Sequence, residues 1–384
     1  VYPDRLGADF LGDPDAWFFP VPGTLSPIPW AQTPTAQVLT TALHDGAPVY
    51  FDPRGVLARV VEAFAAQGIT PVTAFECEFY LLQAGDDGPR PAEPPGALPG
   101  LTGPQCLSME ALSDFENFIR DLESICQDQG VPLTIVHAEY GDAQFEANLH
   151  HVPDALAACD HLTRLKRIIK SVARKHDVVA SFMAKPITGA TGSGLHSHVS
   201  LLDAGGNNVF AGSDGITKLH HAIGGVLQTT AEAMALFCPN ANSYRRFQPD
   251  SYVPQGLSWG PNHRLVAVRV PPSGDADRRL EHRIAGADAC PYLMLAGVLA
   301  GMLHGLTNNV EPTRMTGEKE ELFEAARFPN RWPVALDAFE NGSILPGYLG
   351  AQFHELYLNV KRQEEARFNA AVTTHDLDWY FRVV

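Results

Sequence analysis

The chain has 384 residues, 45% of them hydrophobic and 19% charged, with a formal net charge of −16. That length and composition describe a soluble globular protein of one large domain or two, not a disordered chain. The acidic balance argues against a nucleic-acid backbone as partner, which needs clustered Lys and Arg, and leaves open a small substrate in a locally basic site. The six cysteines, Cys77, Cys106, Cys126, Cys159, Cys238 and Cys290, contain no C-x-x-C pair. They form neither a zinc framework nor a dense disulfide scaffold and suit a reducing cytosol. No secretory leader is read at the start. The first residue is Val1, not Met, so a preceding piece is expected to lie outside this sequence.

In chain order, residues 1–50 are rich in proline and turn residues, as in Pro27-Ile28-Pro29-Trp30, and read as linker and irregular structure. Asp52-Pro53-Arg54 opens a helix to about Gln67 that Gly68 stops. The alternating run Val72 to Leu82 is a β-strand, with Phe75, Cys77, Phe79 and Leu81 toward an apolar layer. Glu76 and Glu78 then share the opposite face, about 7 Å apart. Residues 85–104 are Gly/Pro-rich and read as a surface loop. Helical periodicity covers Glu110 to Gln129, and strands follow at 131–139 and 144–149 around the turn Tyr140-Gly141-Asp142-Ala143. Asp154 to His176 is an amphipathic helix whose basic face (Arg164, Lys166, Arg167, Lys170) reads as solvated. Strands resume at 178–183 and 195–202, and helices are expected at 215–236, 288–309, 318–327 and 350–368. The most apolar stretch, Ala289 to Leu306, contains Pro291, His304 and three glycines and reads as a buried helix, not a membrane span.

The polar faces of these strands carry the chemistry. Two side-by-side carboxylates repel, and one takes up a proton unless a cation lies beside them. Glu139 and Glu146 can face each other across the turn at 140–143. Gln144, Glu146 and Asn148 share one strand face, as do His196, His198 and Ser200. Glu281 and Arg283 share another. Such an oxygen-rich set with one imidazole suits Mg²⁺ or Mn²⁺. Arg245, Arg246, Arg264, Arg269, Arg278, Arg279 and Arg283 follow in the second half. Hard cations with fixed guanidiniums are what phosphoryl transfer requires. No G-x-x-x-x-G-K-[ST] is present, so the chain has no P-loop. His137 and His282 are assigned to the core side of their strands, and Cys77 to packing.

Five ordered blocks resemble the signatures of the glutamine synthetase family. They are Glu76-Cys77-Glu78-Phe79, Glu139 through Glu146, Gly192-Ser193-Gly194-Leu195-His196-Ser197-His198, Asn242-Ser243-Tyr244-Arg245-Arg246 and Arg279-Leu280-Glu281-His282-Arg283. The resemblance implies an α+β fold, a curved antiparallel sheet with outer helices over residues 48–384. Residues 1–47 would be the tail and linker of a β-grasp domain. It implies that Glu78, Glu139 and Glu146 hold one metal and that Glu76, His196 and Glu281 hold a second. His198, Ser200 and Arg269 would contact ATP. Gly192 and Arg246 would hold glutamate, and Arg264 and Arg283 would surround the phosphates and the acyl phosphate. It also implies a homo-oligomer of twelve subunits in two rings.

The departures from the family pattern bear on the acceptor. Ammonia-using members place a glutamate six residues after the arginine matched by Arg246, where this chain has Tyr252. Where they carry Asn before the Gly-Ser-Gly block, this chain has Thr191, and Asp275-Ala276-Asp277 replaces a nucleotide-side lysine. The first two changes resemble the branch that ligates organic amines to glutamate, such as γ-glutamylpolyamine synthetases. The expected partners are therefore glutamate, ATP and a small organic amine, with Tyr252 as an aromatic wall in place of a charge. An ammonia-using enzyme and a catalytically silent structural or sensor homologue are the alternatives.

Overall fold

The computed structural model describes residues 16–85, 88–94, 105–248, 251–322 and 325–384. The expected N-terminal tail over residues 1–15, most of the loop at 85–104, and Asp250 lie outside the described residues. The elements in order are β1 (Trp17–Pro20), β2 (Ser26–Pro27), β3 (Ala36–Gln37), β4 (Thr40–His44), β5 (Ala47–Pro48), α1 (Pro53–Ala65), β6 (Thr70–Gln83) and β7 (Arg90–Pro91). Then come α2 (Met109–Asp114), α3 (Glu116–Asp128), β8 (Leu133–Ala138), β9 (Gln144–Leu149), α4 (Ala155–Lys175), β10 (Val179–Ser181), β11 (Leu195–Leu202) and α5 (Gly212–Phe237). The chain closes with β12 (Trp259–Pro261), β13 (Val268–Val270), β14 (Leu280–His282), α6 (Pro291–Asn308), α7 (Trp332–Glu340), α8 (Leu345–Leu349), α9 (Ala351–Ala370) and α10 (Thr374–Tyr380).

The main sheet runs β12-β13-β14-β11-β6-β9-β8, with β10 and β7 also pairing to β6. Its pairs are antiparallel except β12 with β13, which is parallel, so the sheet is mixed at one edge. The long strand β6 is its axis. Phe75, Cys77, Phe79 and Leu81 are buried on one face, in the layer that also holds Phe118, Phe145 and Leu165. Period-two alternation then leaves Glu76 and Glu78 on the other face. Asp52 caps α1 by accepting from the Arg54 N–H, with Pro53 at the first helical position. Asp154 caps α4 through the Leu156 and Ala157 N–H groups.

α6 is buried almost throughout, as its apolar sequence requires. Among the described residues no helix is long and apolar enough to cross a membrane. α6 crosses α5 closely because both present glycine there: a Cβ on Gly225 would lie 2.1 Å from the Gly301 carbonyl oxygen.

Three expectations change. Residues 17–48 are not irregular: β1, β4 and β5 form a three-stranded sheet, and β2 pairs with β3. The helix expected at 318–327 is absent from its described residues, where the Glu320 side chain accepts the Gly317 N–H at 3.0 Å and closes a turn instead. Residues 323 and 324 of that span lie outside the described residues. The basic face of α4 is only half solvated: Arg167 and Lys170 are exposed, but the other two are held inside. Arg164 is buried and donates to the Gln129 carbonyl, while Lys166 donates to the carbonyls of Ala287 at 2.6 Å and Ala289 at 3.3 Å.

Candidate active site

Register decides which side chains meet. β11 sets His196 opposite Glu76. β9 sets Asn148 opposite Glu76 and Glu146 opposite Glu78. β8 sets His137 opposite Glu146, and β14 sets Glu281 opposite His198. Glu281 is also opposite Arg269 of β13. One sheet face thus collects four carboxylates, three imidazoles and an arginine from six strands.

Glu76 is gripped from one side by two imidazoles, with His198 Nε2 at 2.8 Å and His196 Nδ1 at 3.2 Å from its two oxygens. Burial alone would raise its pKa, but the hydrogen bonds from His196 and His198 outweigh that and hold it well below the carboxylate range. Glu281 has no exposed surface and lies between Arg269, at 2.7 Å, and Arg283. Burial again pulls upward, and Arg283 with His198 and His196 keeps Glu281 ionised. Glu146 goes the other way. It is buried and crowded by Glu76, Glu78 and Glu139, so its pKa lies well above the usual range. Glu78 is raised too, by burial and by Glu139, against the pull of His196 and the Gly194 N–H. Excess carboxylates that must protonate to stay buried are a donor set that suits a divalent cation.

Among the described residues three groups bring ligand atoms within 4.8 Å of one another: Glu76, His198 and Glu281; Glu76, Glu146 and His196; and His137, Glu139 and Glu146. They overlap the expected sets without repeating them. His137, assigned to the core from its sequence, lies 3.3 Å from both Glu139 and Glu146. The pairing from Ile135 to Ala138 against β9 is regular, so His137, two residues before Glu139 and opposite Glu146, shares their polar face by simple alternation. Glu78 joins none of these three groups. Its Oε2 accepts the Gly194 N–H at 2.8 Å and lies 3.4 Å from Gln144 Nε2.

Gln144 links the loops around the site. It accepts from the Gly141 N–H at 2.9 Å and from Thr191 Oγ1 at 2.6 Å, and donates to the Gly192 carbonyl at 3.0 Å. Gly192 has no room for a side chain: a Cβ there would lie 2.7 Å from Arg246 Cγ. Arg246 is buried and donates to the Ile284 carbonyl at 2.9 Å, while its Nε has no partner among the described residues. Arg264 is exposed, and its carbonyl accepts from Arg283 Nε at 3.1 Å.

A cavity of about 650 Å³ opens beside Glu76, lined by His198, Ser200, Asn148, His150, His151, Asp277 and Arg279. Of the three expected nucleotide contacts, His198 and Ser200 line it, whereas Arg269 sits on Glu281 and Asn262. Asp275-Ala276-Asp277, in the lysine's place, forms a short 3₁₀ turn, and Asn208 Nδ2 donates to the Ala276 and Arg278 carbonyls, each at 2.9 Å. Tyr252 is exposed and its ring stacks on Tyr140 at 5.3 Å between centroids.

A mixed sheet whose polar face gathers carboxylates, imidazoles and arginines beside an open cavity is the frame of a metal-assisted transferase or ligase. The chain belongs to the glutamine synthetase family: residues 50–380 match its catalytic domain. It is 38% identical over 382 residues to the γ-glutamylputrescine synthetase PuuA of Escherichia coli strain K12, covering 97% of this chain and 80% of that protein. It is 34% identical over 306 residues to a glutamate–isopropylamine ligase of a Pseudomonas species, covering 78% and 66%. Among solved structures it resembles ligand-free GmaS, with TM-score 0.86 and 28% identity over 97% of this chain and 86% of the other.

His282 faces the core, as its sequence suggested, against the Phe237 ring at 4.3 Å. Burial, aided by His196 and Arg246, pushes its pKa down from 6.5 to about 3. The unfolded chain therefore binds one more proton between those values. Stability from this residue is fully present above about pH 6.5 and is lost as pH falls toward 3, by about 1.4 kcal/mol per pH unit. His282→Leu should remove that slope from denaturant midpoints measured between pH 6 and pH 4. Equal slopes in the two proteins would show that His282 titrates normally.

Proposed function

We propose that this protein joins the γ-carboxylate of glutamate to a primary organic amine at the expense of ATP. The observation that carries the reading is the convergence of Glu76, His196, His198 and Glu281 with Arg269 and Arg283 on one sheet face, beside a cavity of about 650 Å³. The relatives named as glutamate–amine ligases support it.

In this reading the γ-carboxylate of glutamate attacks the γ-phosphorus of ATP, releasing ADP and giving γ-glutamyl phosphate. The uncharged amine nitrogen then attacks the acyl carbon. The C–O bond to phosphate breaks, and the nitrogen loses a proton as the amide forms. Glu76, His196 and Glu281 would hold one Mg²⁺ or Mn²⁺ ion, and Glu78, Glu139 and Glu146 a second, with His137 in reach of the latter pair. Bound there, such cations supply positive charge against the transferring phosphoryl group. Arg246, behind Gly192, takes the glutamate α-carboxylate. Arg283 and Arg264 screen the charge that develops on phosphate, while Arg269 holds Glu281 in place. His198 and Ser200 contact the nucleotide. Tyr252 replaces a charged acceptor-side residue with an aromatic face, which favours an amine with a carbon tail.

The same proposal places the catalytic domain at 48–384, the end of a β-grasp domain and its linker at 1–47, and the protein in the cytoplasm, in keeping with its six free cysteines. It includes an assembly of twelve chains in two rings, for which the exposed Trp379, Tyr380 and Phe381 at the end of α10 offer contact surface. Sedimentation of the intact protein should show a particle near twelve chains, and a monomer at all concentrations would refute the assembly.

The reaction is tested by ADP and phosphate release with ATP, glutamate and a panel of ammonia and primary amines. An organic amine should give the highest kcat/KM, and ammonia at the top would make this an ordinary glutamine synthetase. Glu281→Gln, which keeps the side-chain shape but removes its negative charge, should lower amine-dependent turnover by at least about a hundredfold. Full turnover in that variant would remove Glu281 from the machinery.

A further inference from the structure

The expected role of Tyr252 rests on one residue, yet the structure never shows that ring alone. Its plane lies 24° from that of Tyr140, with the centroids 5.3 Å apart. Both rings are open to solvent, Tyr140 by 43% and Tyr252 by 61%. The two come from different parts of the site. Tyr140 directly follows Glu139 at the β8–β9 turn, where the Glu139 N–H donates to the Gln144 carbonyl and the Gly141 N–H to the Gln144 side chain, both at 2.9 Å. Tyr252 directly follows Ser251, whose Oγ lies 2.7 Å from the Gln248 carbonyl and 3.3 Å from that of Arg246. The stack therefore ties the carboxylate side of the site to the Arg246 side. The hydrogen bond with Tyr252 raises the Tyr140 pKa.

We propose that Tyr140 and Tyr252 together form the acceptor wall, selecting primary amines whose carbon tail lies along the paired rings. The inference rests on the ligase reading above and deepens it. An attacking nitrogen must point inward, toward the acyl carbon near the carboxylates and arginines, so any substituent it carries points out toward the rings. Two adjoining aromatic faces offer that substituent apolar contact, and offer a distal ammonium the electron-rich faces of the rings. Ammonia has no tail and gains nothing from them. Each methylene laid on a partly open aromatic surface is worth roughly a two- to fourfold gain in kcat/KM. The wall also depends on the stack: without Tyr140 the Tyr252 ring loses its described aromatic neighbour and one face of the wall disappears. Tyr140 is therefore a specificity residue that sequence comparison around position 252 alone does not reveal.

The test uses the purified protein with ATP, glutamate and Mg²⁺, measuring phosphate release against ammonia, methylamine, ethylamine, propylamine, butylamine and 1,4-diaminobutane. Wild type is compared with Tyr140→Ala, Tyr140→Phe and Tyr252→Ser. In wild type, kcat/KM should climb about two- to fourfold per methylene along the alkyl series. Tyr140→Ala and Tyr252→Ser should each flatten that climb, mainly by raising the KM for the longer amines, and Tyr140→Phe should keep it. A climb as steep in both disrupted variants as in wild type overturns the proposal while leaving the ligase reading intact. So does a flat wild-type series. No ADP from wild type with any acceptor overturns the ligase reading and this inference with it.

Discussion

The structure turns on one electrostatic constraint: more carboxylates are crowded onto the polar face of β6 and its neighbours than that face can keep ionised. Glu76 escapes through two imidazoles and Glu281 through two arginines, and both stay charged. Glu146 and Glu78 have no equal compensation and are pushed toward the protonated form. A buried, hydrogen-bonded sheet would gain nothing from such a face, because Glu146 and Glu78 lose hydration without matching compensation. The arrangement makes physical sense when cations and a highly charged substrate are brought to it. Family membership then gives that charge pattern a chemistry.

Everything else serves to hold that face in register. The apolar side of β6 anchors the strand to the core, so a slip of one residue would turn the glutamates inward. Gln144 ties the β8–β9 turn to the loop before β11 through Gly141, Thr191 and Gly192. Lys166, on the neighbouring helix, fixes the chain after β14 by its bonds to Ala287 and Ala289. Arg246 can lie against that loop only because position 192 has no side chain. Loops from distant parts of the sequence are thus tied to one another and to the sheet they border.

The legible part of the sequence was what period-two alternation and single strands decide. Glu76, Glu78, Glu146, His196, His198 and Glu281 were placed on shared faces from parity alone, and the structure sets them there. His137 was assigned wrongly although parity places it correctly, because it is two residues before Glu139 and pairs with Glu146 in regular register. The pattern gave Arg269 no strand parity with Arg264, and none exists, since the chain turns between them before β13. The helix expected at 318–327 had favourable local composition, but a turn closed by Glu320 prevailed. The Tyr140–Tyr252 stack joins residues 112 positions apart, beyond any local signal. The small sheet at 17–48 was hidden by prolines, which here sit at strand ends and on short strands.

The central claim, that the crowded face is a cation site, is tested most directly by titrating the protein calorimetrically with Mn²⁺ at several pH values in buffers of different ionisation enthalpy. Burial and like-charge crowding raise Glu146 and Glu78 toward the protonated form, and a cation bound there would compete with those protons. The account predicts at least two Mn²⁺ per chain, proton release on binding, and affinity that rises with pH and collapses in a Glu76→Ala, Glu146→Ala double variant. Binding without proton release, or binding that survives that double substitution unchanged, would contradict it.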